Sequence, residues 1–100
     1  VAGNTQNRNE SLPAPFSAGI PYPNPFNPYL TIPFRLSSPA RVTISVFDIS
    51  GRLVAVLRDG LIPEGDHEST WNARGCASGV YIVRLSAGVK TEVRKAALVK

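Results

Sequence analysis

The sequence predicts an all-β domain, an antiparallel sandwich of six or seven short strands. Three observations carry that expectation. Apolar residues recur at every second position in one short segment after another, which is the period of a half-buried strand. Clusters of Gly, Pro, Asn and Ser separate these segments at near-regular intervals. No stretch shows the 3.6-residue apolar period of an amphipathic helix. With 100 residues, 43% of them hydrophobic, the chain has material for one small core and not two.

Residues 1–11 are polar and aperiodic and read as an N-terminal arm, leaving 12–100 as the domain. In the next stretch Leu12, Ala14, Phe16, Ala18, Ile20 and Tyr22 alternate with Pro13, Pro15, Ser17, Gly19 and Pro21. The three prolines share one parity, so one edge of an extended segment lacks donors while the other keeps them. That predicts either an edge strand of the domain or a strand donated to a neighbouring copy. Tyr22, Pro23, Asn24, Pro25, Phe26, Asn27 and Pro28 form a rigid corner, because each proline fixes its own φ and holds the preceding residue extended.

Leu30, Ile32, Phe34 and Leu36 then alternate with polar positions, and Pro33 predicts an edge or a bulge in that strand. Val42, Ile44 and Val46 mark the next strand. The turn Asp48-Ile49-Ser50-Gly51 leads to the apolar run Leu53–Leu57, the second arm of a hairpin. His67, Ser69 and Trp71 alternate with Glu68 and Thr70, and Val80–Leu85 is apolar on both sides at its start, as in a central strand. In the last segment Val89, Thr91, Val93, Ala97 and Val99 share one face, opposite Lys90, Glu92 and Arg94.

Composition removes several function classes. A lone cysteine, Cys76, excludes an internal disulfide framework and a Cys-cluster zinc site. No apolar run approaches the roughly 20 residues of a membrane-spanning helix. The chain starts Val1-Ala2-Gly3 and has no methionine, which reads as a processed product or an excised domain. Residues 1–79 are charge-balanced, so the whole net charge of +4 comes from Arg84, Lys90, Arg94, Lys95 and Lys100 against Glu92. Only Tyr81 adds an aromatic there, so a nucleic-acid groove is not expected; the excess reads as a solvated strand face or a handle for an acidic partner.

Catalytic material is thin. His67 lies between Asp66 and Glu68, but on a strand the carboxylates share one face and the imidazole takes the other. Cys76 has no partner that would make a thiolate, and Trp71 reads as core, with sugar stacking the alternative. No phosphate loop, catalytic carboxylate pair or metal-ligand spacing is present. Neither enzyme activity nor a cofactor or metal is expected.

Several blocks in register resemble one known family. Tyr22-Pro23-Asn24-Pro25-Phe26-Asn27 is followed by Val46–Leu57 with Gly51-Arg52, by Gly65–Glu68 and Trp71-Asn72, by Ala77-Ser78-Gly79-Val80-Tyr81, and by a basic terminal block ending Leu98-Val99-Lys100. Together they resemble the C-terminal sorting domains of bacterial type IX secretion, and also the immunoglobulin-like domain of the flagellar hook-capping protein. The resemblance implies an immunoglobulin-like sandwich of about seven strands, secreted to the outside or the outer-membrane surface of a bacterium. Its partner would be the secretion machinery, contacted through Arg94, Lys95, Leu98, Val99 and Lys100. Two other readings of the residues stand beside it: a structural subunit of an extracellular filament built by donating the 12–22 strand to a neighbouring copy, and an accessory carbohydrate-binding module using Trp71, Tyr22 and Tyr29.

Overall fold

A computed structural model describes residues 16–100 of the chain. Seven strands, all paired antiparallel, make up its regular structure: β1 (Phe16–Ala18), β2 (Tyr29–Leu36), β3 (Ala40–Asp48), β4 (Leu53–Ile62), β5 (Gly65–Asn72), β6 (Gly79–Ala87) and β7 (Lys90–Leu98). They form a three-stranded sheet in the order β1-β2-β5 and a four-stranded sheet in the order β4-β3-β6-β7. The expected arm 1–11 and the alternating positions Leu12 and Ala14 lie outside the described residues.

The period-two pattern places the core. Leu30, Ile32, Phe34 and Leu36 point inward from β2 and meet Val42, Ile44 and Val46 of β3 and Val83 and Leu85 of β6, all buried. In β4 the apolar run Leu53–Leu57 does not alternate, because the β3–β4 register shifts twice, between Ile44 and Ser45 and between Val46 and Phe47. Each shift leaves one residue of β4 unpaired and turns the strand locally. The strand continues to Ile62, beyond the apolar run.

The Leu12–Tyr22 alternation holds only in part. Phe16 and Ala18 are buried, but Ile20 is 77% and Tyr22 49% exposed. Phe16 pairs with Leu36 and Ala18 with Phe34, whereas Tyr22 bridges Thr31, one residue out of that register. The extra residue between Ala18 and Tyr22 reverses which side chains point inward, so Ile20 and Tyr22 turn away from the core. β1 lies at the edge of its sheet and pairs along β2 of its own chain.

Pro33 is not on an edge strand, since β2 lies between β1 and β5. Its missing N–H is tolerated because it faces the place where the β1 register slips. There Gly19 N donates to Pro33 O at 2.9 Å, while Gly19 O is taken by Arg94 Nε at 3.2 Å. A Cβ on Gly19 would lie 2.8 Å from Pro33 Cγ, so this approach requires glycine.

In β7 the expected faces are exchanged. Val93 is half-exposed and Val89 fully so, while Ala96 and Leu98 are buried and Lys90, Glu92 and Arg94 turn inward. Pairing with β6 decides this: Tyr81 opposes Ala96, Val83 opposes Arg94 and Leu85 opposes Glu92, and side chains of opposed residues share a face. The inward charges are satisfied on the free edge of β1. Lys90 Nζ donates to Phe16 O (3.1 Å), Ala18 N donates to Glu92 Oε1 (3.4 Å), and Arg94 donates to Ala18 O (3.0 Å) and Glu92 (3.1 Å). On the opposite flank Arg58 of β4 donates to Ser69 Oγ and Glu68 O of β5. Charged side chains thus close both sides of the sandwich where two sheet edges meet, a device that blocks edge-to-edge pairing.

Burial pushes the Glu92 carboxyl up, but the Ala18 N–H, Lys90 and Arg94 outweigh it and hold the group below the ordinary carboxylate value. A carboxylate whose pKa is lowered by folding stabilises the fold above its unfolded value, roughly pH 4.3, and that contribution is lost as pH falls through the folded value. Glu92→Gln is therefore expected to flatten the loss of melting temperature below about pH 4.3, read by thermal denaturation across pH 2–6; an unchanged acid slope would contradict it. Asp48 is lowered too, so the slope left in that variant should fall further in Glu92→Gln/Asp48→Asn.

Candidate functional site

The proline-rich corner does more than turn the chain. It leaves β2 at one end of the three-stranded sheet, where Tyr22 N and O pair with Thr31, and crosses to the free edge of β7. Asn24 and Phe26 then act as a short strand substitute. Asn24 Oδ1 accepts from Ala97 N (2.9 Å), and Asn24 Nδ2 donates to Lys95 O (3.3 Å). Phe26 N donates to Ala97 O (2.9 Å) and Val99 N to Phe26 O (3.1 Å), making a parallel bridge between Phe26 and Leu98. The backbone groups on the outer edge of the C-terminal strand from Lys95 to Val99 are thereby occupied by the chain's own corner.

Alternation around the corner explains its anchoring. Pro23, Asn24 and Pro25 are exposed and Phe26 is 1% exposed. The Phe26 ring packs on Trp71 at 5.5 Å between centroids, and Trp71 meets Tyr81 edge-on at 5.1 Å. Tyr81 OH donates to Ala77 O at 2.6 Å, and its pKa is raised by burial first and by the neighbouring Cys76 and Asp48. Trp71 is 4% exposed, a core residue with no face left to stack on a sugar, whereas Tyr22 and Tyr29 are about half-exposed. Tyr22 OH donates to Glu68 Oε2 at 2.7 Å, the main cause of its raised pKa.

The predicted contact residues separate into two groups. Leu98 is buried and anchors the tail; Arg94 is held between β1 and Glu92. Lys95, Val99 and Lys100 are exposed, and Lys100 N donates to Ser78 Oγ (3.2 Å), joining the tail to the loop before β6. That loop and the β3–β4 turn line one groove of about 630 Å³, with Asp48, Ser50 and Arg52 on one wall and Cys76, Ser78 and Tyr81 on the other.

The turn is built by Asp48. Its Oδ1 accepts from Ser50 Oγ (2.6 Å), Ser50 N and Arg52 N, and its Oδ2 lies 3.3 Å from Arg52 Nε. Those bonds, the Ser50 hydroxyl foremost, lower its pKa. Gly51 closes the turn at φ +89°, a conformation that side chains disfavour. The spacing Asp-x-x-Gly-Arg is thus a hairpin device, and Gly51 and Arg52 have structural roles.

No catalytic constellation forms among the described residues. As the spacing predicts, His67 faces away from its flanking carboxylates: it stacks on Phe34 at 5.4 Å and its Nε2 lies 2.7 Å from Pro63 O, while Asp66 pairs with Arg35 across the outer face (2.7 Å). Cys76 is half-buried against the core, and among the described residues no three His, Cys, Asp or Glu side chains are grouped to hold a metal ion. No helix of the described residues is long and apolar enough to cross a membrane.

Sequence reasoning missed the clamp made by Asn24. The available signal was an asparagine held extended between two prolines, with both amide atoms free to bond outside the corner. It also missed which basic residues remain unpaired, because that depends on the inverted face of β7.

No curated protein and no solved structure gives a significant match to the chain. Residues 21–100, from the corner through the C-terminal strand, match the family described as the secretion system C-terminal sorting domain. With that match covering most of its length, the chain belongs to the type IX secretion C-terminal sorting domains, which mark proteins for the cell exterior or its surface.

Proposed function

We propose that the domain is a non-enzymatic sorting and surface-attachment module, read by the secretion machinery through protein contacts of its C-terminal strand. One observation carries this reading: the tail is held in a single extended path by the corner, with Leu98 buried while Lys95, Val99 and Lys100 are presented to solvent. Leu98 and Arg94 act by positioning the strand, and the exposed three act by contact. Pairing of β1 with β2 of the same chain supports a self-contained module over one completed by a neighbour's strand.

Removing Val99 and Lys100 tests the reading while leaving Leu98 and the β6–β7 ladder in place. A reporter fused ahead of this truncated domain, in a bacterium with the type IX machinery, is expected to accumulate in the periplasm, with the purified domain melting within a few degrees of the parent. Normal export would remove the tail from the recognition surface. Removing residues 1–21 adds a second arm: a self-contained module stays monomeric with lower stability, whereas polymerisation of the parent chain that stops on truncation would favour the filament reading.

A further inference from the structure

We propose that the outward face of the four-stranded sheet is the docking surface, and that it takes a protein partner presenting carboxylates around an apolar patch. This rests on the sorting reading and adds the surface and the chemistry that recognises it.

A strand at a sheet edge is ordinarily read by adding a partner strand along its free backbone groups. In β7 those groups are taken from Lys95 O to Val99 N by Asn24 and Phe26. Further back, Val93 O accepts from Arg94 (3.0 Å). A partner strand would have to displace the corner and with it the buried Phe26. What β7 offers instead is its side-chain face.

Strand registers place Val56, Ser45, Arg84 and Val93 in one row across the four strands, and Leu53, Phe47, Ile82 and Lys95 in the next. Val56 is 54% and Val93 50% exposed at the two ends of the first row, and in the second Leu53 is 54% exposed beside half-buried Phe47 and Ile82. An apolar band therefore runs over the outside of a sheet whose other face is already the core.

Charge selects the partner. Arg35, Arg41, Arg52, Lys90 and Arg94 each have a carboxylate partner within the chain. On this face, and among the described residues, Arg84 and Lys95 have none: Arg84 lies over the Phe47 ring at 4.9 Å, and the Lys95 ammonium makes no hydrogen bond or ion pair. They are diagonal neighbours on adjacent strands, and Glu92, the acid nearest in sequence, points to the other face. An apolar band crossed by two unpaired cations complements an apolar patch edged by carboxylates, and it opposes a second copy of itself by like-charge repulsion.

The test compares Lys95→Glu and Val93→Glu with Arg74→Glu, which makes the same charge reversal as Lys95→Glu but in the β5–β6 loop. Each is fused behind a reporter in a type IX-competent bacterium and also purified for melting. Export is expected to fall at least about ten-fold for Lys95→Glu and Val93→Glu and to stay near the parent for Arg74→Glu. The exposed Lys95 side chain makes no hydrogen bond or ion pair among the described residues, so its variant carries the test should Val93→Glu melt low. Parent-like export of Lys95→Glu overturns the inference. If loss of Val99-Lys100 still blocks export, only the face is lost; if neither change matters, the tail reading falls as well. Dimerisation of the purified chain, or its binding to phosphatidylglycerol vesicles, would overturn the protein assignment if Lys95→Glu or Val93→Glu alters it, giving the face to a second copy or a lipid surface.

Discussion

Phe26→Ala is expected to lower the stability of the domain by about 3–5 kcal/mol, a large share of the roughly 5–15 kcal/mol that holds a domain of this size. Phe26 is 1% exposed and packs on Trp71. Its removal leaves a cavity beside an aromatic stack with little freedom to collapse, so the transfer and cavity costs add. The backbone bonds to Ala97 and Val99 depend on the same anchor. Thermal unfolding followed by circular dichroism should show a midpoint lower by about 12 °C or more. Amide exchange at Ala97 and Val99 should accelerate together, because the corner supplies both acceptors, Asn24 Oδ1 for the Ala97 N–H and Phe26 O for the Val99 N–H. Phe26→Leu, which keeps most of the volume, should cost less than about 1.5 kcal/mol. A shift of only a few degrees in Phe26→Ala would mean that the corner is not held by its phenylalanine.

Removing Ala96–Lys100 should be more severe, and the reason is not recognition. The deletion takes out buried Leu98 and Ala96 and the β6 pairings of Tyr81, Val80 and Gly79. It also leaves the Phe26 and Asn24 polar groups without their partners. Loss of Leu98 alone carries about 2–5 kcal/mol, and the Phe26 backbone groups, buried and left unpaired, add about 1–3 kcal/mol each. The sum reaches the whole stability of a small domain, so the five-residue deletion should be largely unfolded at 25 °C by circular dichroism and near-UV absorption. The two-residue deletion should stay folded, because Val99 and Lys100 are exposed and contribute one backbone bond each. A well-folded five-residue deletion would contradict this account. The pair matters for any export assay, since loss of export in the longer deletion reports a lost fold before it reports a lost signal.

The strands legible in the sequence are those whose apolar residues alternate in phase with the core face. Leu30 to Leu36 and Val42 to Val46 do so and lie where the pattern puts them. The misreadings fall where a register slip or a ladder of inward charges puts the apolar residues out of phase with the core. Ile20 and Tyr22 look apolar in phase with Phe16, but one extra residue beside Pro33 reverses them. In β7 the valines at 89, 93 and 99 outweigh the single leucine as a pattern, yet Leu98 and Ala96 are the residues that β6 pairs with its buried face. The inward ladder of Lys90, Glu92 and Arg94 violates the usual placement of charge and is satisfied by ion pairs within the ladder and by the edge of β1, about 75 residues earlier in the chain. Asn24 likewise bonds a strand 73 residues away. Contacts over such separations leave no local period; the resemblance of whole blocks made the family legible where periodicity could not.

The path of the corner has a mechanical consequence. From Phe16 to Phe26 the chain runs alongside β7 from Lys90 to Leu98 in the same direction, with contacts at Lys90, Glu92, Arg94, Ala97 and Leu98. A pull on the segment before Phe16 against a tail held beyond Lys100 stretches these contacts along the strand axes. They are loaded in shear, sharing the force at once, instead of opening one after another as in a peeled hairpin. A domain wired this way resists being drawn apart end to end while its tail is gripped.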